Sequence, residues 1–237
     1  MNNYSFNPSL KFASKSNASQ LRLGLKSQFV SFDNEQGIEL PSDDLGDEFF
    51  YGITTNYTYT NIDHQSHPSR GIKFLGEANW TQSTTSDLAS FLRLRSELAL
   101  FFPLHLSRKQ TTLGIRSGVS TNIGDDFAFY QANFLDGFKN FRGVLRNRFA
   151  GRSTSYNNVD LRFSLLKVNN RIVPFDIGLL AHGDLARVWQ NGESSDLWHY
   201  SYGGGVFINL LDALLVNLTY SISDTDEVFV FGTNFLF

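Results

Sequence analysis

Hydrophobic and polar residues alternate with a period of two along most of the chain, whereas the helical period of 3.6 is rare. In residues 158–165, for example, valine, leucine and phenylalanine at the odd positions alternate with asparagine, aspartate, arginine and serine at the even positions. Successive side chains of a β-strand point to opposite faces of a sheet, so the pattern predicts strands with one apolar and one polar face. Turn-forming residues separate these segments, and we predict about eleven strands, within a range of about 10 to 12.

The length and charge of the predicted strands indicate the environment in which they lie. Period alone is also compatible with a soluble β-sandwich or lipocalin, which buries the apolar face. Many segments, however, are about ten residues long and carry charge on the polar face, which is typical of transmembrane strands. The sequence has no apolar stretch long enough for a transmembrane helix, and hydrocarbon accommodates only helices and closed barrels. We therefore predict an all-β fold, a single antiparallel transmembrane β-barrel domain covering residues 1–237.

Composition narrows the classes of function. Aromatic residues make up 15% of the chain, a share that is ordinary for barrels with aromatic girdles. The chain has no cysteine, which excludes disulfides and thiolate metal sites. A net charge of −3 gives no support to nucleic acid as a partner. The N-terminal residues lack the basic and apolar regions of a secretory signal, so we expect a mature form or a sequence restarted at a methionine.

A series of short motifs occurs in the last half of the chain. In chain order they are FKNFRGV (138–144), NRFAG (147–151), NVDLR (158–162), HGDLARVW (182–189), YGGG (202–205) and GTNFLF (232–237). Their order and spacing resemble the BamA/TamA superfamily of outer-membrane assembly and translocation barrels, also called the bacterial surface antigen family. The chain departs from the family pattern at four positions: Val144 replaces an aromatic residue, Asp160 a glutamate, His182 a phenylalanine and Ala186 a glycine.

Arg142 and Gly143 resemble the family's signature for a long extracellular loop that folds back into the barrel lumen. Asp160 and Asp184 match the family's inward acidic residues, and the alternation places both on the polar face. A guanidinium held in a lumen needs carboxylate partners, because a desolvated cation alone is costly. We therefore predict a buried cluster of Arg142 with Asp160 and Asp184 that holds the loop inside the barrel. From spacing alone, the alternative is a solvated Arg142 and aspartates that face water.

The C-terminal residues Gly232, Phe235 and Phe237 resemble the family's C-terminal signal, which the barrel assembly machinery reads. We expect residues 228–237 to form a last strand that ends at the final phenylalanine. The family barrel has more strands than this chain supplies, and the family's periplasmic POTRA modules are absent here. We therefore expect either the C-terminal part of a larger barrel or a barrel completed by another chain, including a second copy. Outer-membrane lipids are the other expected partner, and the bacterial outer membrane is the expected location.

The resemblance implies a non-catalytic function in the insertion or transport of protein or lipid at the outer membrane. The alternatives are a structural anchor or oligomeric barrel for an associated domain or partner, and a small diffusion channel. We expect no enzyme activity and no cofactor: His182 and Asp184 could be combined with a serine, but no G-x-S-x-G motif is present. The five histidines could be read as metal ligands, but no ligand spacing supports this, so we expect no metal site. They are His64, His67, His105, His182 and His199.

Overall fold

The computed structural model describes most of the chain. The described ranges are 2–31, 47–84, 90–104, 110–124, 127–168, 173–192, 196–211 and 213–237. His105 lies outside the described residues. Within these ranges the regular elements are strands and a single 3₁₀ turn, Phe129–Gln131, and no helix is long and apolar enough to cross a membrane.

Twelve strands form one antiparallel sheet. Its strands are β1 (Asn2–Phe6), β2 (Ser9–Ala13), β3 (Ser19–Ser31), β4 (Glu48–Ile62), β5 (Gly71–Ser83), β6 (Phe91–Leu104), β7 (Thr111–Gly124), β10 (Ser153–Val168), β11 (Phe175–Trp189), β12 (His199–Leu210), β13 (Leu214–Ser223) and β14 (Glu227–Gly232). Two short strands, β8 (Asn133–Leu135) and β9 (Phe149–Gly151), form a separate pair. β1 and β2 both pair with β3, and β7 pairs with β10 across the loop that contains β8 and β9. All other neighbours in the sheet are consecutive in the chain, so the sheet is a meander.

β1 and β2 form one interrupted edge of the sheet. Phe6 pairs with Ser27 and Ser9 pairs with Gly24, so the register continues unchanged across the interruption. The interruption contains Pro8, which has no N–H to donate and is tolerated at a sheet edge. With β1 and β2 taken as one strand, the sheet agrees with the predicted number of about eleven strands.

The sheet exposes its apolar face and buries its polar face. On β11, Leu179 and Leu185 are 43% and 42% exposed, whereas Asp184 on the opposite face is 5% exposed. Among the described residues, buried polar and charged side chains outnumber buried hydrophobic ones. A soluble domain has the opposite arrangement, while an apolar exterior over a polar interior is that of membrane-spanning strands. The exposure of the two faces therefore favours membrane-spanning strands over a soluble β-sandwich, which the two-residue period alone did not exclude.

The predicted all-β, antiparallel architecture is confirmed. The hydrogen-bonded path through the sheet begins at β1 and ends at β14. Within the described ranges, no pairing joins these two strands. The sheet therefore has two edges in the part of the chain that the structure describes.

The prediction of a last strand that reaches Phe237 is wrong, because β14 ends at Gly232. Beyond this point the chain turns onto the polar face, where the side-chain amide of Asn217 donates to the carbonyl of Asn234 at 2.7 Å. Phe235 and Phe237 are only 8% and 9% exposed there. The phenylalanines two residues apart at the chain end thus pack against the polar face and do not continue the strand.

Candidate functional site

The loop between β7 and β10, residues 127–152 (the β7–β10 loop), lies against the polar face of the sheet. Phe141 and Val144 of this loop are 0% and 1% exposed and pack with Tyr156 of β10 and Ala186 of β11. Burial of such side chains stabilises the contact by roughly 1.5–3 kcal/mol each. The loop is therefore attached to the sheet by a hydrophobic cluster, and Arg142 lies between two of its members in the chain.

Arg142 makes ion pairs with two aspartates on neighbouring strands. Its Nη1 donates to Asp160 Oδ1 of β10 at 2.6 Å. Its Nε and Nη2 donate to the two carboxylate oxygens of Asp184 of β11 at 2.8 and 2.5 Å, which is the bidentate geometry that a guanidinium favours. The backbone N–H of Arg142 also donates to Asp184, at 3.0 Å. We call these three residues the Arg142 cluster; it connects the loop to two strands through side-chain and backbone groups.

Gly143 lets the loop backbone approach the sheet closely. Its φ of +80° lies in the left-handed region that favours glycine. A Cβ at this position would lie 3.3 Å from the Cβ atoms of both Ser201 and Ser223. The Gly143 carbonyl accepts a hydrogen bond from Ser223 Oγ at 2.8 Å. A larger residue would therefore strain the turn that presents the neighbouring arginine.

Arg142 is held between two carboxylates away from water, and Arg162 supplies the second cation that balances them. Burial alone would lower the pKa of Arg142, but the carboxylates of Asp160 and Asp184 outweigh burial and raise it above its ordinary value. A buried ion pair offsets its desolvation only when the geometry is good and the remaining donors and acceptors are satisfied. The bidentate contact meets that condition, so the guanidinium is held in its charged form.

Asp160 joins a second arginine to the Arg142 cluster. Its Oδ2 accepts from Nη2 of Arg162, two residues along β10, at 2.8 Å. Arg162 in turn donates to the carbonyl of Phe237 at 3.1 Å, and its guanidinium lies 3.9 Å from the centroid of the Phe235 ring. A continuous set of contacts therefore runs from the β7–β10 loop through β10 to residues 233–237, the C-terminal segment.

Arg116 of β7 makes a second connection between the same parts. Its Nη1 donates to the carbonyl of Leu236 at 3.1 Å, and its Nη2 donates to the carbonyl of Lys139 at 2.8 Å. Its Nε donates to Asn158 of β10 at 2.9 Å. Arg116 thus contacts both the β7–β10 loop and the C-terminal segment, while Arg162 contacts the C-terminal segment directly and the loop only through Asp160.

The turn between β4 and β5 also contacts the C-terminal segment. The ring of His67 lies 5.3 Å from that of Phe235 and 5.2 Å from that of Phe207, between centroids. Burial, with Arg162 and Lys167 nearby, lowers the pKa of His67 to about 4. The imidazole is therefore neutral near pH 7 and packs as an aromatic ring.

The residues singled out from the sequence lie in two places. Arg142, Gly143, Asp160 and Asp184 come together where the β7–β10 loop meets β10 and β11, and Gly232, Phe235 and Phe237 lie at the end of β14 and on the polar face. The roles of the first group in holding the loop, and of the second group as an assembly signal, stay predictions.

Two arginines that were not predicted as site residues, Arg116 and Arg162, connect these groups. The alternation already placed Arg162 on the same face as Asp160, two residues away, and that signal could have found it. Nothing local indicates that Arg116 contacts the chain end, since the two are more than a hundred residues apart in the chain.

The described histidines have separate surroundings. His182 Nε2 lies 2.9 Å from Ser221 Oγ, and His199 Nδ1 lies 2.7 Å from Asp224 Oδ2. In the ranges that the structure describes, no group of three or more histidine, cysteine, aspartate or glutamate residues could hold a metal ion.

Comparisons with known proteins assign the family. The model of the Omp85 superfamily domain matches residues 1–236. A search of curated proteins found no match. Among solved structures, the chain is similar to the crystal structure of BamA from Haemophilus ducreyi lacking POTRA domains 1–3, with 13% sequence identity and a TM-score of 0.71. That match covers 97% of this chain and 53% of the other, so this chain spans about half the length of that protein.

The match confirms the predicted resemblance to the BamA/TamA superfamily. Barrels of this family are non-catalytic and reside in the bacterial outer membrane, as predicted from the sequence. The long antiparallel sheet with an apolar outer face, found above, is the architecture that such barrels require. The chain belongs to the Omp85 superfamily of bacterial outer-membrane proteins.

Proposed function

We propose that the protein acts in the insertion or transport of protein or lipid at the outer membrane, without catalysing a reaction. The family, which is involved in protein insertion and transport, supports this class of function. The observation that carries the more specific proposal is the departure of the chain from the sheet at Gly232.

We infer that the sheet forms the wall of a transmembrane barrel whose lumen is lined by the polar face. The β7–β10 loop then folds into that lumen from the extracellular side. Residues 1–237 form a single domain in this arrangement, which further strands, a second copy or another chain complete. Outer-membrane lipids and the barrel assembly machinery are the other proposed partners. The exposed apolar face and the buried Arg142 cluster support this arrangement.

The point of passage that we propose is the seam, which consists of β14 and the C-terminal segment. β14 has six residues and pairs with Asn217–Ile222 of β13. Among the described residues, Leu214–Val216 of β13 therefore have no partner in β14. Edge strands present unpaired N–H and C=O groups that pair readily with another strand. An incoming strand would therefore find its template here.

The contacts of the C-terminal segment determine how the seam would open. Phe235 and Phe237 would have to leave their places against Arg162 before the last strand could move away. The β7–β10 loop fills part of the space beside the polar face, which argues against a wide diffusion channel. Opening is therefore a rearrangement of one edge and needs no change in the remainder of the sheet.

A disulfide across the exit point tests this proposal. Asn217 lies opposite Gly232 in the register, so an Asn217→Cys, Gly232→Cys double variant places two thiols on facing strands of a chain that otherwise has none. In proteoliposomes, we expect the oxidised variant to insert an unfolded outer-membrane β-barrel polypeptide several-fold more slowly than the same protein after reduction. Protease protection and heat-modifiable mobility of that polypeptide measure the rate.

The reduced double variant and the unsubstituted protein, with and without reductant, are the controls. Equal rates for the oxidised and reduced variants would overturn the seam as the point of passage. An unsubstituted protein that accelerates insertion no more than empty liposomes, yet conducts ions steadily in planar bilayers, would replace the proposal with a diffusion channel. A folded protein with neither activity would replace it with a structural anchor or oligomeric barrel.

A further inference from the structure

A cavity of about 320 Å³ lies on the polar face beside the interruption between β1 and β2. It lies apart from the Arg142 cluster, since its lining comes from β2 to β6, the interruption itself and the 3₁₀ turn of the β7–β10 loop. The lining residues that matter here are Asn7, Arg22, Lys26, Asn79, Arg93 and Gln131. The volume is at the lower end of the range for small-molecule sites.

The charge of this cavity is positive and is not compensated within its lining. Arg22, Lys26 and Arg93 are cations, and the described residues that line the cavity include no carboxylate. Glu77 lies outside this lining; it is 3.8 Å from Arg95 and also attracts Arg93, so Arg22 and Lys26 are the cations left to a ligand in full. Grouped cations of this kind favour an anionic ligand.

Gln131 presents an unpaired hydrogen-bond donor to the same cavity. Its side chain is only 6% exposed, and its Oε1 accepts from the N–H of Ala128 at 3.2 Å, which orients the amide. Its Nε2 is buried and finds no acceptor among the residues that the structure describes. Asn79, which also lines the cavity, has a buried Oδ1 that finds no donor among the described residues. Buried polar groups without partners are costly, and a ligand with both an acceptor and a hydroxyl would satisfy them.

One of the cations, Arg93, and the amide of Gln131 are held in place by the fold. Nε of Arg93 donates to Asn122 Oδ1 at 3.0 Å, and its Nη2 donates to the carbonyl of Gln131. Asn122 in turn donates to the same carbonyl at 2.9 Å. The wall that carries Arg93 and Gln131 is therefore ordered before any ligand binds, which lowers the entropic cost of binding.

We propose that this cavity binds a phosphate ester, with the phosphate against Arg22, Lys26 and Arg93 and a neighbouring hydroxyl donating to Asn79. A phosphate supplies several acceptor oxygens, one of which would receive the free donor of Gln131. Two sources share this chemistry. One is the headgroup of an anionic phospholipid that enters beside the interrupted edge, and the other is a free ester such as glycerol 3-phosphate.

Two measurements on the detergent-purified protein distinguish these sources. Calorimetry with glycerol 3-phosphate measures binding of the free ester. Native mass spectrometry after exposure to phosphatidylglycerol or to phosphatidylcholine measures retention of a lipid. We expect Lys26→Gln and Gln131→Glu to weaken binding by about tenfold or more, since each removes or opposes a charge-assisted contact. The glutamate keeps the acceptor that Ala128 uses, so the loop should remain in place.

The matched control is Lys73→Gln, which removes the same charge from the same face outside the cavity, where Lys73 lies 5.4 Å from the centroid of the Phe101 ring. It should bind as the unsubstituted protein does, and all variants should keep their heat-modifiable mobility. Binding of glycerol 3-phosphate that depends on Lys26 and Gln131 would establish the free ester as a ligand. Retention of phosphatidylglycerol but not phosphatidylcholine, with the same dependence, would establish a lipid headgroup. Absence of both, or equal losses in the control, would overturn the proposal.

Discussion

Substitution of Arg142 with alanine is expected to lower the free energy of unfolding by about 3–5 kcal/mol, because it leaves the buried carboxylate of Asp184 without a counter-charge and that of Asp160 with Arg162 alone. Asp160 and Asp184 are 0% and 5% exposed, so water cannot replace the guanidinium without opening the structure. The β7–β10 loop should at the same time become a substrate for proteases. Urea unfolding in detergent micelles and limited proteolysis measure the two effects.

The matched control lies in the same loop. The side chain of Arg148 is 47% exposed and lies 3.5 Å from Asp226, so Arg148→Ala should cost no more than about 1 kcal/mol. An Arg142→Lys variant keeps the charge but cannot make the bidentate contact, and it should fall between the two. If Arg142→Ala unfolds and is cleaved like Arg148→Ala, the cluster does not hold the loop.

Phe235→Ala is expected to lower the free energy of unfolding by about 3–5 kcal/mol, as truncations of well-packed phenylalanines do. The ring of Phe235 packs against that of Phe207 at 5.3 Å between centroids and against the guanidinium of Arg162. Its loss removes a contact of the C-terminal segment and leaves that cation less well packed. The midpoint of urea unfolding after refolding into pure liposomes measures this structural effect.

The control for Phe235 is Phe231→Ala on β14, whose ring is 68% exposed on the apolar face. It should change the midpoint of unfolding much less than Phe235→Ala does. The rate at which the variants insert in the presence of the barrel assembly machinery tests the C-terminal signal separately. If Phe235 is part of that signal, Phe235→Ala should insert more slowly than its loss of stability explains. Equal midpoints for the two variants would mean that the C-terminal segment is not packed on the polar face.

Much of the fold follows from local pattern. The alternation along residues 158–165 predicts one strand and also predicts that Asp160 and Arg162 share a face, and both hold in the structure. The connection of Arg142 with Asp160 and Asp184 came from the resemblance to the family, whose loop and acidic residues point inward, and the need of a buried guanidinium for carboxylates agrees with it. The spacing alone left a solvated Arg142 open.

The remainder depends on contacts between distant parts of the chain. A C-terminal segment that is apolar on both faces and ends in an aromatic residue predicts a strand to the end. Such a segment does not distinguish packing against a sheet from pairing within it, and the chain changes from pairing to packing after Gly232. The carbonyl contacts of Arg116 and Arg162 with the last two residues depend on tertiary structure alone. The sequence shows that Pro8 has no backbone N–H to donate and so can interrupt a strand. The register of β1 and β2 on either side of it, however, depends on their pairing with β3.

A nitroxide scan along residues 177–185 of β11, in protein reconstituted into liposomes, tests most directly that this sheet spans the membrane with its apolar face toward lipid. We predict that accessibility to oxygen, which concentrates in lipid, is high at Ile177, Leu179 and Leu185 and low at His182 and at the other even positions. A water-soluble relaxation agent should reach none of the odd positions in the middle of the strand. Loss of the two-residue period, or access of the water-soluble agent to the leucines, would contradict the account.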